Sequence, residues 1–242
     1  MDYVDLLVTT SMPHSKQARV FYPRALELDP QFARAYTGLA MTYAMDHRFQ
    51  NTAQSPSALG KALTLAETAR TIDPELPEAY WALGFVHAQA QRHKQAIESL
   101  QQAIELNRSY SDAYALMGGI YTYLGEPARS ISLLRKALRL NPGGGYLYFL
   151  LLGRAYLFEN ELEQALINLR EALLRNPEDM EAHIYLAAAL VAQGNRSAAD
   201  WEVNEIRVRD PEFSIGRWLE AYPLTSQRDK QRLLDLVAKT QL

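Results

Sequence analysis

An acid or amide followed by proline returns along the chain as Asp29-Pro30, Asp73-Pro74, Asn141-Pro142, Asn176-Pro177 and Asp210-Pro211, with Asn107-Arg108 filling the one gap. These six positions are spaced by 44, 34, 34, 35 and 34 residues, the signature of one unit copied along the chain, with an insertion of about ten residues in the first copy. Each pair follows a stretch of helical apolar periodicity such as Ala96, Leu100, Ala103 and Leu106. Proline disfavours helical geometry in the residue before it, so a helix ends at each pair.

A second periodicity runs in phase with the first. Small residues recur at Ala40, Gly84, Gly118, Gly153 and Ala187, and again at Ala62, Ala96, Ser130, Ala165 and Ala199; four of the five pairs are 12 apart, and the first is 22 apart because of the insertion. Glycine inside a helix costs roughly 1 kcal/mol against alanine. Its return at one phase therefore needs an offsetting gain, and the close backbone approach of two antiparallel helices supplies it. Each unit reads as two helices packed through a small–small contact.

The segments Tyr80-Trp81-Ala82-Leu83-Gly84 with Ala96, Leu100 and Ala103, and Leu152-Gly153 with Tyr156, Ala165, Leu169, Ala172 and Pro177, resemble the tetratricopeptide repeat (TPR). That resemblance implies an all-α fold, a right-handed α-solenoid of antiparallel helix pairs with a C-terminal capping helix, and a non-enzymatic protein-binding role. Residues 33–211 divide into five units: Ala33 to Pro74 with an inserted loop at 46–57, Pro77 to Arg108, Ser111 to Pro142, Tyr146 to Pro177 and Met180 to Pro211. Residues 1–32 read as a degenerate half-repeat in which Ser15 to Leu28 is a second helix and Tyr3 to Thr10 its partner. Pro23 predicts a kink or fraying inside that helix, since an internal proline removes a hydrogen bond. Residues 212–242 read as capping helices, Ile215 to Tyr222 and Ser226 to Lys239, over the last repeat's apolar edge.

A narrower likeness covers nearly the whole chain. The degenerate first repeat, the long loop with Ser55-Pro56, Glu78-Ala79-Tyr80-Trp81-Ala82-Leu83-Gly84, the expansion Gly143-Gly144-Gly145 and the terminal Arg217-Trp218 with Arg232-Leu233-Leu234-Asp235 resemble the repeat tails C-terminal to bacterial class III adenylate and guanylate cyclase domains and on some bacterial transcriptional regulators. The likeness implies a role in bacterial signalling or regulation, with any activity carried by another domain.

Composition narrows the chemistry. Among 242 residues, 25 Lys and Arg stand against 28 Asp and Glu, a net charge of −3 that argues against a phosphate-backbone binder. There is no cysteine, which excludes disulfides, thiolate nucleophiles and Cys-ligated metals. Apolar runs such as Tyr146 to Gly153, stopped by Arg154, and Ile184 to Ala192 are far short of the roughly 20 residues a spanning helix needs. Met1 to Thr10 lacks the cationic start of a secretory signal, so a soluble chain is the expectation, in the cytoplasm with the periplasm as the alternative.

No catalytic, cofactor-binding or metal-binding residue is assigned. His87 and His93 are six apart and do not share a helix face, and His183 near Glu181 lacks a second histidine one turn away. His87 falls instead at the aromatic packing position held by Tyr121 and Tyr156 in later units. Gly143 to Gly145 lacks the Lys-Ser/Thr of a phosphate loop and reads as a turn.

The resemblance implies that first helices line a concave wall that binds partners. Counting from the small residue, the inward positions include Met41, Trp81, Phe85, Leu150, Arg154, Leu157, Ile184 and Val191, with Tyr123 beside them. This predicts an apolar, aromatic groove with Arg154 as its isolated cation, binding a peptide or helix from a partner or adjacent domain. Self-association through the same apolar surface, with the chain as a homo-oligomeric scaffold or assembly factor, is the alternative.

Overall fold

A computed structural model of the chain describes residues 12–50 and 55–240, and among these it contains thirteen helices and no strand. They are α1 (Met12–Leu28), α2 (Ala33–Gln50), α3 (Ser55–Ile72), α4 (Pro77–Gln89), α5 (His93–Leu106), α6 (Ser111–Tyr123), α7 (Pro127–Leu140), α8 (Tyr146–Glu159), α9 (Leu162–Arg175), α10 (Met180–Gln193), α11 (Arg196–Arg209), α12 (Ile215–Ala221) and α13 (Gln227–Val237). The chain divides into two compact units, Met1–Ile120 and Tyr121–Leu242. Within them the helices pair as the periodicity predicts: α2 with α3, α4 with α5, α8 with α9 and α10 with α11.

The helix ends repeat atom by atom. At Asp29, Asp73, Asn107, Asn141, Asn176 and Asp210 the backbone N–H donates to the carbonyl four residues back, and the carbonyl accepts from the N–H three residues on. At the last four positions the backbone is extended, with φ between −134° and −140°. The Oδ1 atoms of Asp29, Asp73, Asn107 and Asp210 also accept the N–H two residues on, at 2.9 to 3.1 Å. An Asx side chain thus supplies the local partner that ends the helix. Asn107, which has no proline after it, makes the same turn, so the pyrrolidine ring is not required for it.

First helices end in a different way. Gln91, Gly125, Asn160 and Gly194, each 34 or 35 residues from the next, all have positive φ, from 57° to 90°. A left-handed residue just past the last turn lets the chain reverse into the second helix.

The small residues do what their period predicts. A Cβ added at Gly84 would lie 2.7 Å from Leu100 Cγ, and one at Gly153 only 2.5 Å from Leu169 Cγ and 3.1 Å from the Leu169 nitrogen. Gly144 is similar, because a Cβ there would fall 2.6 Å from the Tyr148 ring. The glycine run is therefore a packed corner, also tied by the Arg175 guanidinium to the Gly144 carbonyl at 3.1 Å.

Two local expectations are corrected. The helix runs unbroken across Pro23. Pro23 itself is exposed, and α1 is pinned on both sides of it: Tyr22 packs with Ala35 and Leu39, joined by Ala25 and Leu26, while the Arg19 guanidinium donates to the Thr42 carbonyl at 2.7 Å. These contacts hold the helix where the missing hydrogen bond would let it fray. The loop expected over 46–57 is largely helix, since α2 continues to Gln50 and α3 begins at Ser55. Both are 18 residues long, against 13 and 14 for α4 and α5, so the insertion lengthens a helix pair. The segment Tyr3 to Thr10, expected to partner α1, lies outside the described residues.

Substituting leucine for Gly84 or Gly153 drives a side chain into Leu100 or Leu169. Each variant should lose about 1–3 kcal/mol, read by thermal or urea unfolding, whereas leucine at Gly60, a helical glycine where a Cβ meets nothing within 4 Å, should gain up to about 1 kcal/mol.

Candidate functional site

The residues expected to line an open groove are interior. Met41, Leu150, Arg154, Leu157 and Ile184 are 0% exposed, and Trp81, Phe85, Tyr123 and Val191 do not exceed 7%. In the first unit the reason is packing along the chain: the Trp81 indole N–H donates to the Asp112 carbonyl at 3.2 Å, and its ring stacks on Phe85 at 6.1 Å. The aromatic anchors there join α4 to the start of α6.

In the second unit the cause is the C-terminal segment. Helix α13 packs against α10 and α12. The Thr225 and Ser226 amides both donate to the Tyr123 carbonyl, at 2.9 and 3.0 Å, and the Thr225 hydroxyl donates to the same oxygen at 3.1 Å. Arg232 donates from Nη1 to the Phe158 carbonyl at 3.0 Å and from Nη2 to Asn160 Oδ1 at 2.8 Å. Carbonyls in the last turn of a helix lack an intrahelical donor, and the segment supplies donors to those of α6 and α8. Close passage is allowed by Gly125, where a Cβ would lie 2.7 Å from Ser226 Oγ. The expected C-terminal cap is present, and the surface it covers is α10 with the ends of α6 and α8.

Beneath this segment lies a buried polar cluster. Arg154 Nη1 donates to Glu181 Oε1 at 3.0 Å and to the Tyr222 hydroxyl at 2.5 Å, and that hydroxyl donates onward to the same Glu181 oxygen. The guanidinium stands 4.4 Å from the Tyr123 ring centroid and 5.9 Å from that of Tyr185. Tyr222 meets Tyr123 edge-on at 5.4 Å and stacks on Trp218 at 4.0 Å. Arg154 is thus not the isolated cation that the sequence suggested. Burial works against its charge, but the surrounding Tyr222, Tyr123, Tyr185 and Glu181 outweigh that effect and hold its proton more tightly than usual. Burial pushes the Tyr222 hydroxyl well above the ordinary phenol range, so it stays neutral and remains a donor.

Glu181, Tyr185, Trp218 and Tyr222 were not singled out as site residues by the sequence. Trp218 on a seven-residue helix, with Tyr222 four residues on at its end and Pro223 next, was the available signal. His183 has a structural setting as well. Its Nδ1 lies 2.6 Å from Glu202 Oε2 and its Nε2 lies 3.0 Å from the Pro177 carbonyl, joining α10 to α11 and to the turn before it. Among the described residues no group of three or more His, Asp and Glu is placed to hold a metal ion, and no helix is long and apolar enough to cross a membrane.

The most exposed large apolar side chains of the second unit lie on second helices. Ile167 and Leu174 of α9 are 59% and 77% exposed; Trp201 and Val208 of α11 are 57% and 79% exposed. Each pair is seven apart on one helix face, and the two pairs are 34 residues apart, so they occupy equivalent positions of successive repeats.

Three substitutions test the polar groups held within these helices. Arg154→Met leaves Glu181 buried without its cation and should cost about 3–5 kcal/mol in urea unfolding, much of it recovered when Glu181→Leu is added. His87 is half-buried, and desolvation, followed by the charge of Arg92, lowers its pKa from 6.5. The folded state therefore binds this proton less tightly than the unfolded chain, and the melting temperature should fall as pH drops below about 6.5. His87→Tyr, restoring the aromatic found at Tyr121 and Tyr156, should flatten that fall; an identical slope would exclude His87 as its source.

Residues 77–110, 111–143 and 150–201 match family models described as tetratricopeptide repeat. The Cell division cycle protein 27 homolog of Caenorhabditis elegans is 31% identical over 121 residues, 50% of this chain, and the chain spans 14% of that relative's length. Among solved structures, the fold is similar to that in the APC/C hetero-tetramer Cut9–Hcn1, with a TM-score of 0.72 at 20% identity over 86% of this chain and 39% of that one. It is also similar to PilW, described as a widely conserved type IV pilus biogenesis factor, with a TM-score of 0.63 at 20% identity over 85% and 92%.

Proposed function

Because this chain is built of tetratricopeptide repeats, we propose that it is a non-enzymatic protein–protein interaction module, with its accessible contact surface on the second helices of its second unit. The observation that carries this reading is the exposure of Ile167, Leu174, Trp201 and Val208 at repeat-equivalent positions, while the groove-lining candidates are buried. Large apolar side chains aligned on one face are what an interface uses, and tryptophan is the residue type most enriched at energetic hot spots. The partner is a protein offering an apolar face, such as an amphipathic helix laid across α9 and α11. On the resemblance of its short motifs to bacterial cyclase and regulator tails, the proposed setting is bacterial signalling, with this chain placing another domain or protein.

The test is cross-linking in host extract, followed by reconstitution with the purified partner so identified. Replacing Ile167, Leu174, Trp201 and Val208 with serine should weaken binding at least about tenfold, equivalent to about 1.4 kcal/mol, with helicity unchanged. Unaltered affinity would move the contact off this surface. Self-association through the same four residues is the second reading, supported by the same exposure. Sedimentation equilibrium from micromolar to near-millimolar chain separates them, because a strict monomer throughout leaves only the heterologous partner.

A further inference from the structure

The C-terminal segment is held on the second unit in the manner of a bound peptide. Residues 223–226 are non-helical, and two of their amides donate to one carbonyl of α6. A single aromatic side chain, Tyr222, enters a cavity whose walls come from the repeats themselves: Tyr123 from α6, Arg154 from α8, and Glu181 and Tyr185 from α10. Arg154 and Glu181 pair with each other at 3.0 Å, so the pocket keeps its charges matched when the tyrosine is out of it. The segment contributes the Tyr222 hydroxyl to the polar contacts of the pocket and the rings of Trp218 and Tyr222 to its aromatic ones.

The chemistry of that hydroxyl is selective. It accepts from the Arg154 guanidinium and donates to the Glu181 carboxylate at once. Phenylalanine can do neither. A carboxylate or a phosphate accepts from Arg154 but sets a second negative charge against Glu181 in a site where water cannot screen it. A neutral phenol satisfies both partners, and Trp218 stacked on its ring completes an aromatic pair. A permanent docking contact needs none of this, since apolar side chains of similar volume stabilise a buried interface as well or better than a buried ion pair.

We propose that Tyr123, Arg154, Glu181 and Tyr185 form a tyrosine-reading pocket, that residues 215–226 are its resident intramolecular ligand, and that a partner segment presenting an aromatic residue and a tyrosine in the same Trp-x3-Tyr-Pro arrangement occupies the pocket when the resident segment leaves. The proposal rests on the reading of the chain as an interaction module and adds to it a second, self-blocked site with a defined ligand chemistry. Occupancy by the chain's own Tyr222 makes the segment autoinhibitory for that site.

The probe is a synthetic fluorescent peptide carrying residues 215–227, titrated by polarisation into full-length chain. Tyr222→Ala chain should bind the peptide saturably and at least about tenfold more tightly than native chain, in which the resident tyrosine competes. A peptide with phenylalanine at the Tyr222 position should bind about tenfold more weakly than the tyrosine peptide, and one with phosphotyrosine there should not bind. Folded Tyr222→Ala chain that fails to bind, or equal binding of the phenylalanine peptide, would overturn the proposal.

If circular dichroism shows Tyr222→Ala unfolded, hydrogen exchange on native and Tyr222→Phe chain decides. Amides of 215–226 should exchange about tenfold faster in the variant while those of α8 and α10 hold, and unchanged rates, or opening only with global unfolding, would overturn it equally. The serine substitutions on α9 and α11 do not touch the pocket, so a lost partner there and a lost peptide here are separate results.

Discussion

A missing carbon atom sets the spacing of two of the helix pairs. At Gly84 and Gly153 the facing leucine Cγ stands where a Cβ would be, and the first and second helices of each pair meet at the resulting separation. Dispersion forces are individually small and fall steeply with distance, so the contact acts only because many atoms on both sides reach it together. Ala96, Leu100 and Ala103 around Gly84, and Ala165, Leu169 and Ala172 around Gly153, are all fully buried as a result. The Asx turns and left-handed positions then fix where each rod stops, so the same pair geometry is delivered again about 34 residues later.

Most of this was legible because it is local. A helix end written by one side chain, or a close approach written by one absent side chain, leaves its mark at a fixed offset in the sequence. The left-handed series at Gln91, Gly125, Asn160 and Gly194 was equally periodic, but glutamine conceals it, since that residue carries no conformational signature of its own. The insertion misled for a related reason. Asn51, Ser55 and Pro56 look like loop residues, yet serine and proline also begin helices, and α3 begins at Ser55. Pro23 misled because the contacts of Arg19 and Tyr22 with α2 outweigh a local preference.

The site was the least legible part. Counting inward positions from the small residues gave a row of side chains that was expected to line an open groove, and the structure buries that row. Arg154 lies 27 residues from Glu181 and 68 from Tyr222, and no periodicity within one repeat relates them. A lone arginine in an apolar row nevertheless carries information: an unpaired buried guanidinium is too costly to persist, so its presence implies an acceptor arriving from elsewhere in the chain. Here that acceptor is a carboxylate from the next first helix together with a phenol from the terminal segment.

The bond from Thr225 to Tyr123 spans 102 residues, whereas the pairing of neighbouring helices spans a few dozen at most. During synthesis α8 to α11 can pair and bury their shared faces as they emerge, because every partner they need for that is already made. The face that receives Tyr222 is then complete before its own chain can cover it. For that interval a newborn copy presents Arg154 and Glu181 uncovered, open to whatever reaches them first.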